Sequence, residues 1–95
     1  MIIESKYNVL ITYDIEKKHT EVRNSLIQDY GFEEIIVSDN NVKCYLPNTT
    51  LYKKNTTKKS ALSTLQDVCK TLGANLKRGI SIECSNWQAL IGEKL

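Results

Sequence analysis

The sequence has little of what breaks, staples or anchors a chain. One proline and four glycines in 95 residues exclude collagen-like and linker-like character, which needs far more of either. No apolar run approaches the ~20 residues that a helix needs to cross a bilayer, so no membrane partner is expected. Glu4 and Lys6 interrupt the first residues, unlike the unbroken apolar stretch of a secretory signal; a cytoplasmic protein is the expectation. Cys44, Cys69 and Cys84 are far apart, no Cys-x-x-Cys occurs, and His19 is the only histidine. An odd cysteine count without a secretion signal argues against a disulfide framework, and the missing Cys/His pairs argue against structural zinc. Buried free thiols are expected instead. The sequons at Asn48-Thr49-Thr50 and Asn55-Thr56-Thr57 carry no meaning without secretion.

Motifs are scarce as well. No G-x-G-x-x-G, Walker A, H-E-x-x-H or G-x-S-x-G pattern occurs, which removes support for nucleotide-fuelled, dinucleotide-dependent and triad-hydrolase chemistry. Acidic residues are missing between Asp39 and Asp67, although the net charge is only +2. That interval carries Lys43, Lys53, Lys54, Lys58 and Lys59. Such a positive field attracts phosphates; it serves equally as a solvated face that keeps the protein in solution.

What is present reads as alternating strands and helices in a single domain spanning residues 1–95. Residues 7–15 form the clearest strand, with Val9, Ile11 and Tyr13 on one face and Leu10, Thr12 and Asp14 on the other. Both faces are apolar through the middle, as in a central strand. Val22, Leu26 and Tyr30 recur at helical spacing, widened by Ile27, and predict a helix over 19–30 that Gly31 stops. A second strand follows over 32–37, then an Asp39-Asn40-Asn41 turn. Residues 42–46 have strand character, Pro47 interrupts the run, and residues 49–53 read as a better strand; one broken strand or two short ones both fit. Asn55, Thr56 and Thr57 offer capping oxygens for a second helix. Its stripe is Ala61, Leu62, Leu65, Val68, Cys69 and Leu72, and Gly73 is its stop. Ile80, Ile82 and Cys84 alternate with Ser81 and Glu83 to give a last strand with one apolar face, opened by Gly79.

This order predicts an α+β fold of ferredoxin-like β-α-β-β-α-β plan. Both helices would cover one face of a four-stranded antiparallel sheet, with the first and third strands central. A short C-terminal extension carries Trp87, Leu90 and Ile91, suited to packing on the sheet or on a partner subunit. The open face of such a sheet needs cover, and a homodimer supplies it.

Asp14 is the residue with chemical promise. A carboxylate at the end of an apolar central strand is costly unless it meets a partner or an opening. One reading makes it a ligand of Mg²⁺ or Mn²⁺, which keep several waters when few carboxylates are present. In a symmetric dimer two copies of Asp14 would share such a site. The other reading has it cap the following turn. Glu16 is a possible second carboxylate. His19 is a candidate general base by residue type, but it has no nucleophile beside it in sequence. Ser38, Thr49 and Thr50 can donate hydrogen bonds to phosphate.

The run Val9-Leu10-Ile11-Thr12-Tyr13-Asp14-Ile15, a following helix that ends at Tyr30-Gly31-Phe32, and the chain length together resemble the small CRISPR-associated endoribonuclease family. The resemblance covers about residues 7–35. It implies a homodimer of ferredoxin-like subunits, with Asp14 near the dimer axis as the residue of metal-dependent phosphodiester cleavage. Some members of that family instead hold DNA as a structural bridge. The expected function is therefore a metal-dependent endonuclease acting as a homodimer, on RNA in preference to DNA. The alternative is a dimer without catalysis that holds nucleic acid through Lys53, Lys54, Lys58 and Lys59, or a protein-interaction module that uses the Trp87 segment.

Overall fold

The structure, a computed structural model, describes residues 5–38 and 40–84. The elements run β1 (Tyr7–Ile15), α1 (His19–Tyr30), β2 (Ile35–Val37), β3 (Lys43–Tyr45), β4 (Thr50–Thr56), α2 (Lys58–Leu72) and β5 (Leu76–Glu83). β1 is central in a three-stranded antiparallel sheet of order β4-β1-β5, and β2 and β3 pair as a separate two-stranded sheet. The fold is a small α+β domain. The expected single sheet of four strands is met only in part, and the reason is local. After β2 the chain reverses between Ser38 and Val42, where the Ser38 N–H donates to the Val42 carbonyl at 3.0 Å. Asn41 takes the left-handed backbone that this turn needs (φ 61°), a conformation asparagine tolerates. β3 then occupies the pairing edge of β2. Pro47 separates β3 from β4, so the middle of the chain is two short strands. Just before β2, Glu33 and Tyr52 of β4 form an isolated bridge, exchanging backbone hydrogen bonds of 2.7 and 2.9 Å, the one bridge between the two sheets among the described residues.

The alternation of β1 decides where the core lies. Val9, Ile11, Tyr13 and Ile15 are buried on one face, together with Val22 and Leu26 of α1 and Ala61, Leu65, Val68 and Cys69 of α2. Both helices therefore cover the same side of the sheet. Gly31 and Gly73 end them in the left-handed conformation (φ 75° and 70°), and each returns its N–H to a carbonyl of the last turn. α2 starts with a side-chain cap, the Thr57 hydroxyl accepting from the Ser60 N–H at 3.1 Å. α1 does not: Lys18 precedes it in the left-handed region with no side-chain cap.

β5 begins at Leu76, three residues before Gly79. Its apolar face points away from the helices. Ile82 lies opposite Leu10 and Ile80 opposite Thr12, so both share the side of β1 that carries Asp14. Gly79 and Ser81 take the helical side. A side chain at Gly79 would come within 3.0 Å of Leu65 Cδ2, so its lack of one lets α2 pack tightly on β5. The face opposite the helices is only partly covered: Tyr52, Ile36 and Cys44 form a small cluster with Leu10, Leu46 and Cys84, while Ile80 and Ile82 remain 56% and 50% exposed. Among the described residues no helix is long and apolar enough to cross a membrane. The Trp87 segment lies outside the described residues.

Candidate functional site

Asp14 stands at the end of β1, directly across from Arg78 of β5. Its Oδ2 lies 3.2 Å from Arg78 Nη2, with the side chains 50% and 78% exposed. An ion pair this open to solvent contributes at most ~1 kcal/mol to stability. Tyr13 turns the other way, into the core. Glu16 does not join Asp14; its Oε2 accepts from Asn75 Nδ2 at 2.7 Å. Among the described residues no group of three His, Cys, Asp or Glu side chains gathers. Asp14 thus offers a divalent cation one carboxylate, already engaged by a guanidinium.

The lysines separate. Consecutive strand positions point to opposite faces, so Lys53 leans over the Phe32 ring at 5.2 Å, while Lys54 borders a cavity of about 80 Å³ beside Glu33 and Tyr52. Lys58 and Lys59 open α2, and Lys58 Nζ lies 5.7 Å from the Tyr7 ring centre. Lys58 and Lys59 are successive helix positions that point in different directions, and the four lysines are not gathered around one cleft. Ser38 serves its own turn, its hydroxyl accepting from the Val42 N–H. Thr50 is buried, its hydroxyl bonded to that of Thr12 at 3.3 Å.

A second locus was not read from the sequence. Tyr13, His19, Thr20, Arg23, Asn48 and Thr49 line a cavity of about 110 Å³ between the end of β1, the first turns of α1 and the turn before β4. Arg23 Nη2 is fixed to Glu34 Oε2 at 2.7 Å. Its Nη1 is buried and has no hydrogen-bond partner among the described residues. Burial pushes the Tyr13 phenol above its ordinary pKa, opposed in part by the charge of Arg23. His19 and Thr49 stand out singly in the sequence, but no local signal ties three chain segments together. Arg23 looks like an ordinary exposed helix cation until the fold is known.

Cys44 and Cys69 are buried free thiols and Cys84 is half-buried. Burial raises the pKa of Cys69, Cys84 and Tyr52 as it does that of Tyr13. All four are acids that hold their protons more tightly when folded. Above the ordinary thiol and phenol values of 9.0 and 10.0, the unfolded chain deprotonates first and gains the advantage. Stability should therefore be level through neutrality in these groups and fall as the pH rises past 9. Urea midpoints between pH 7 and 10.5 test this; a midpoint that rises over that range contradicts it.

Comparison with protein-family models, curated proteins and solved structures found no significant match.

Proposed function

We propose that the chain works as a homodimer that hydrolyses phosphodiester bonds, in RNA in preference to DNA, with Asp14 as the catalytic and metal-binding residue. The observation that carries this reading is the position of Asp14. It shares the sheet face opposite the helices with Ile80 and Ile82, which stand half exposed. A second copy laid on that face would bury both isoleucines. In a twofold interface the same patch of both copies meets, so an axis passing beside Asp14 would set the two Asp14 carboxylates next to one another. Two Asp14 carboxylates supplied in this way would suit Mg²⁺ or Mn²⁺. When bound, such an ion acidifies a coordinated water and neutralises phosphate charge.

The same reading extends to the architecture. Counting β2 as a fourth strand through the Glu33–Tyr52 bridge gives the order β5-β1-β4-β2, the arrangement of a ferredoxin-like sheet with β3 as an added hairpin strand. The backbone hydrogen bonds of that bridge support this assignment.

The Arg78–Asp14 pair also favours a second reading. A guanidinium that neutralises the carboxylate is itself a good phosphate ligand. A dimer built this way would hold nucleic acid through Arg78 without cutting it, with Lys53, Lys54, Lys58 and Lys59 adding a diffuse positive field and not one shared cleft. Asp14→Asn separates the two. Under the first reading the variant stays dimeric and loses at least about a hundredfold in Mn²⁺-dependent cleavage of an RNA oligonucleotide, since removing the acting group removes the transition-state interaction. Cleavage that survives the substitution defeats the assignment. Wild-type protein that binds the oligonucleotide with salt-dependent affinity but never cleaves it establishes the second reading.

A further inference from the structure

The proposed function uses one open surface of β5, its face. The other is its edge, because β5 ends the sheet order β4-β1-β5. The Cys84 N–H donates to the Asn8 carbonyl at 2.8 Å, and the register of β5 against β1 is constant from Arg78 to Glu83. Backbone groups of an antiparallel strand turn to alternate sides along it. Arg78, Ile80 and Ile82 therefore direct theirs at β1, as Cys84 does. Gly79, Ser81 and Glu83 direct theirs outward, and no strand pairs with that side among the described residues. Natural edges are commonly blunted by proline, charge or a bulge. The shift in register here lies beyond Arg78, between Asp14 and Ile15, and Gly79, Ile80, Ser81 and Ile82 carry neither proline nor charge. Side chains stand perpendicular to the sheet. Ile80 and Ile82 point to the open face, half exposed, and the Ser81 hydroxyl donates to the Lys58 carbonyl at 3.0 Å on the helical side. The edge itself is left open.

We propose that this edge pairs with the same edge of a second copy, antiparallel, about a twofold axis at Ser81. That register sets Gly79 opposite Glu83 and Ile80 opposite Ile82. The outward groups of Gly79, Ser81 and Glu83 then exchange about six backbone hydrogen bonds. Ile80 and Ile82 fall at the non-hydrogen-bonded pairs, where side chains approach most closely, so the isoleucines of both copies form one apolar strip. Each Glu83 faces a glycine, with the oppositely charged Lys77 of the other copy next along from it. Centring on Ile80 would instead set each Ile82 against Arg78, and centring on Ile82 would leave Gly79 without a partner in the strand. The contact uses neither Asp14 nor a metal, since Asp14 lies opposite Arg78 on the β1 side, away from the axis. It therefore goes beyond the function proposed above, whose second copy lies on the sheet face, and either contact can fail without the other.

The test is amide hydrogen exchange read by NMR across a concentration series, with EDTA present so that failure of the metal reading does not affect the result. The Gly79, Ser81 and Glu83 amides should slow at least about tenfold from dilute to concentrated protein, and those of Ile80 and Ile82, already bonded to β1, should change less. The same slowing is expected in Asp14→Asn. Ser81→Pro removes an N–H that faces away from β1, a position where an edge strand accepts proline. Its circular dichroism should match the wild type, while the slowing at Gly79 and Glu83 is lost and the limiting mass in sedimentation equilibrium falls by half. If that variant does not fold, Glu83→Lys takes its place. It should weaken association at least about threefold by setting like charges together, and adding Lys77→Glu to it should restore the loss. The proposal is overturned if the three outward amides exchange at the same rate at every concentration, if folded Ser81→Pro keeps the wild-type mass, or if Glu83→Lys associates as the wild type does.

Discussion

Leu65→Ala should remove about 2–5 kcal/mol of unfolding free energy, the range for emptying a leucine site in a packed core. Leu65 is fully buried in the middle of α2. Its position is set by what β5 lacks. On the helical side β5 presents Gly79 and Ser81, and Leu65 fills the space above Gly79. Directly beneath Leu65, Gly79 has no side chain to move into the hole that alanine would leave. Urea denaturation monitored by circular dichroism reads it directly. A loss below about 1 kcal/mol would mean that α2 settles onto β5 and that the close approach at Gly79 is not a fixed feature of the packing.

Ile82→Glu should have its large effect between chains instead of within one. Ile82 sits on the opposite side of the sheet from Leu65 and is half exposed, so the isolated chain should keep its stability to within ~1 kcal/mol, the span of strand preferences. In the proposed dimer the substitution occurs twice. Each isoleucine lost from a buried interface removes ~1.5–3 kcal/mol, and each new carboxylate faces apolar surface without a partner. The dissociation constant should rise by at least about a hundredfold. Sedimentation velocity across a concentration series measures it. A dimer that survives Ile82→Glu unchanged is assembled through some other surface.

These two residues also show how far the sequence could be read. β1, α1 and α2 were legible because periodicity, a capping threonine and the stop glycines Gly31 and Gly73 agreed with one another. The first residues of β5 were not, because Lys77 and Arg78 break the apolar pattern although the backbone still pairs with β1. The alternation of Ile80 and Ile82 marked an apolar face, but alternation does not say which side of a sheet that face takes. The register with β1 and the close approach of Leu65 to Gly79 settle it. The β2–β3 pairing was missed in kind, since three-residue strands carry too little pattern to separate a local hairpin from an edge of the main sheet. Asp14 stood out by chemistry alone. Its partner Arg78 lies far along the chain, and the Arg23 cavity draws on three separate segments, so neither left a mark in local sequence.

The account turns on two Asp14 carboxylates acting together across the open sheet face. Calorimetric titration with Mn²⁺ tests this without knowledge of the substrate. The account predicts one Mn²⁺ bound per two chains, and binding that is lost both in Asp14→Asn, which remains dimeric, and in Ile82→Glu, which does not. One ion per chain, binding that persists in the monomeric variant, or no binding by the wild-type dimer would contradict it.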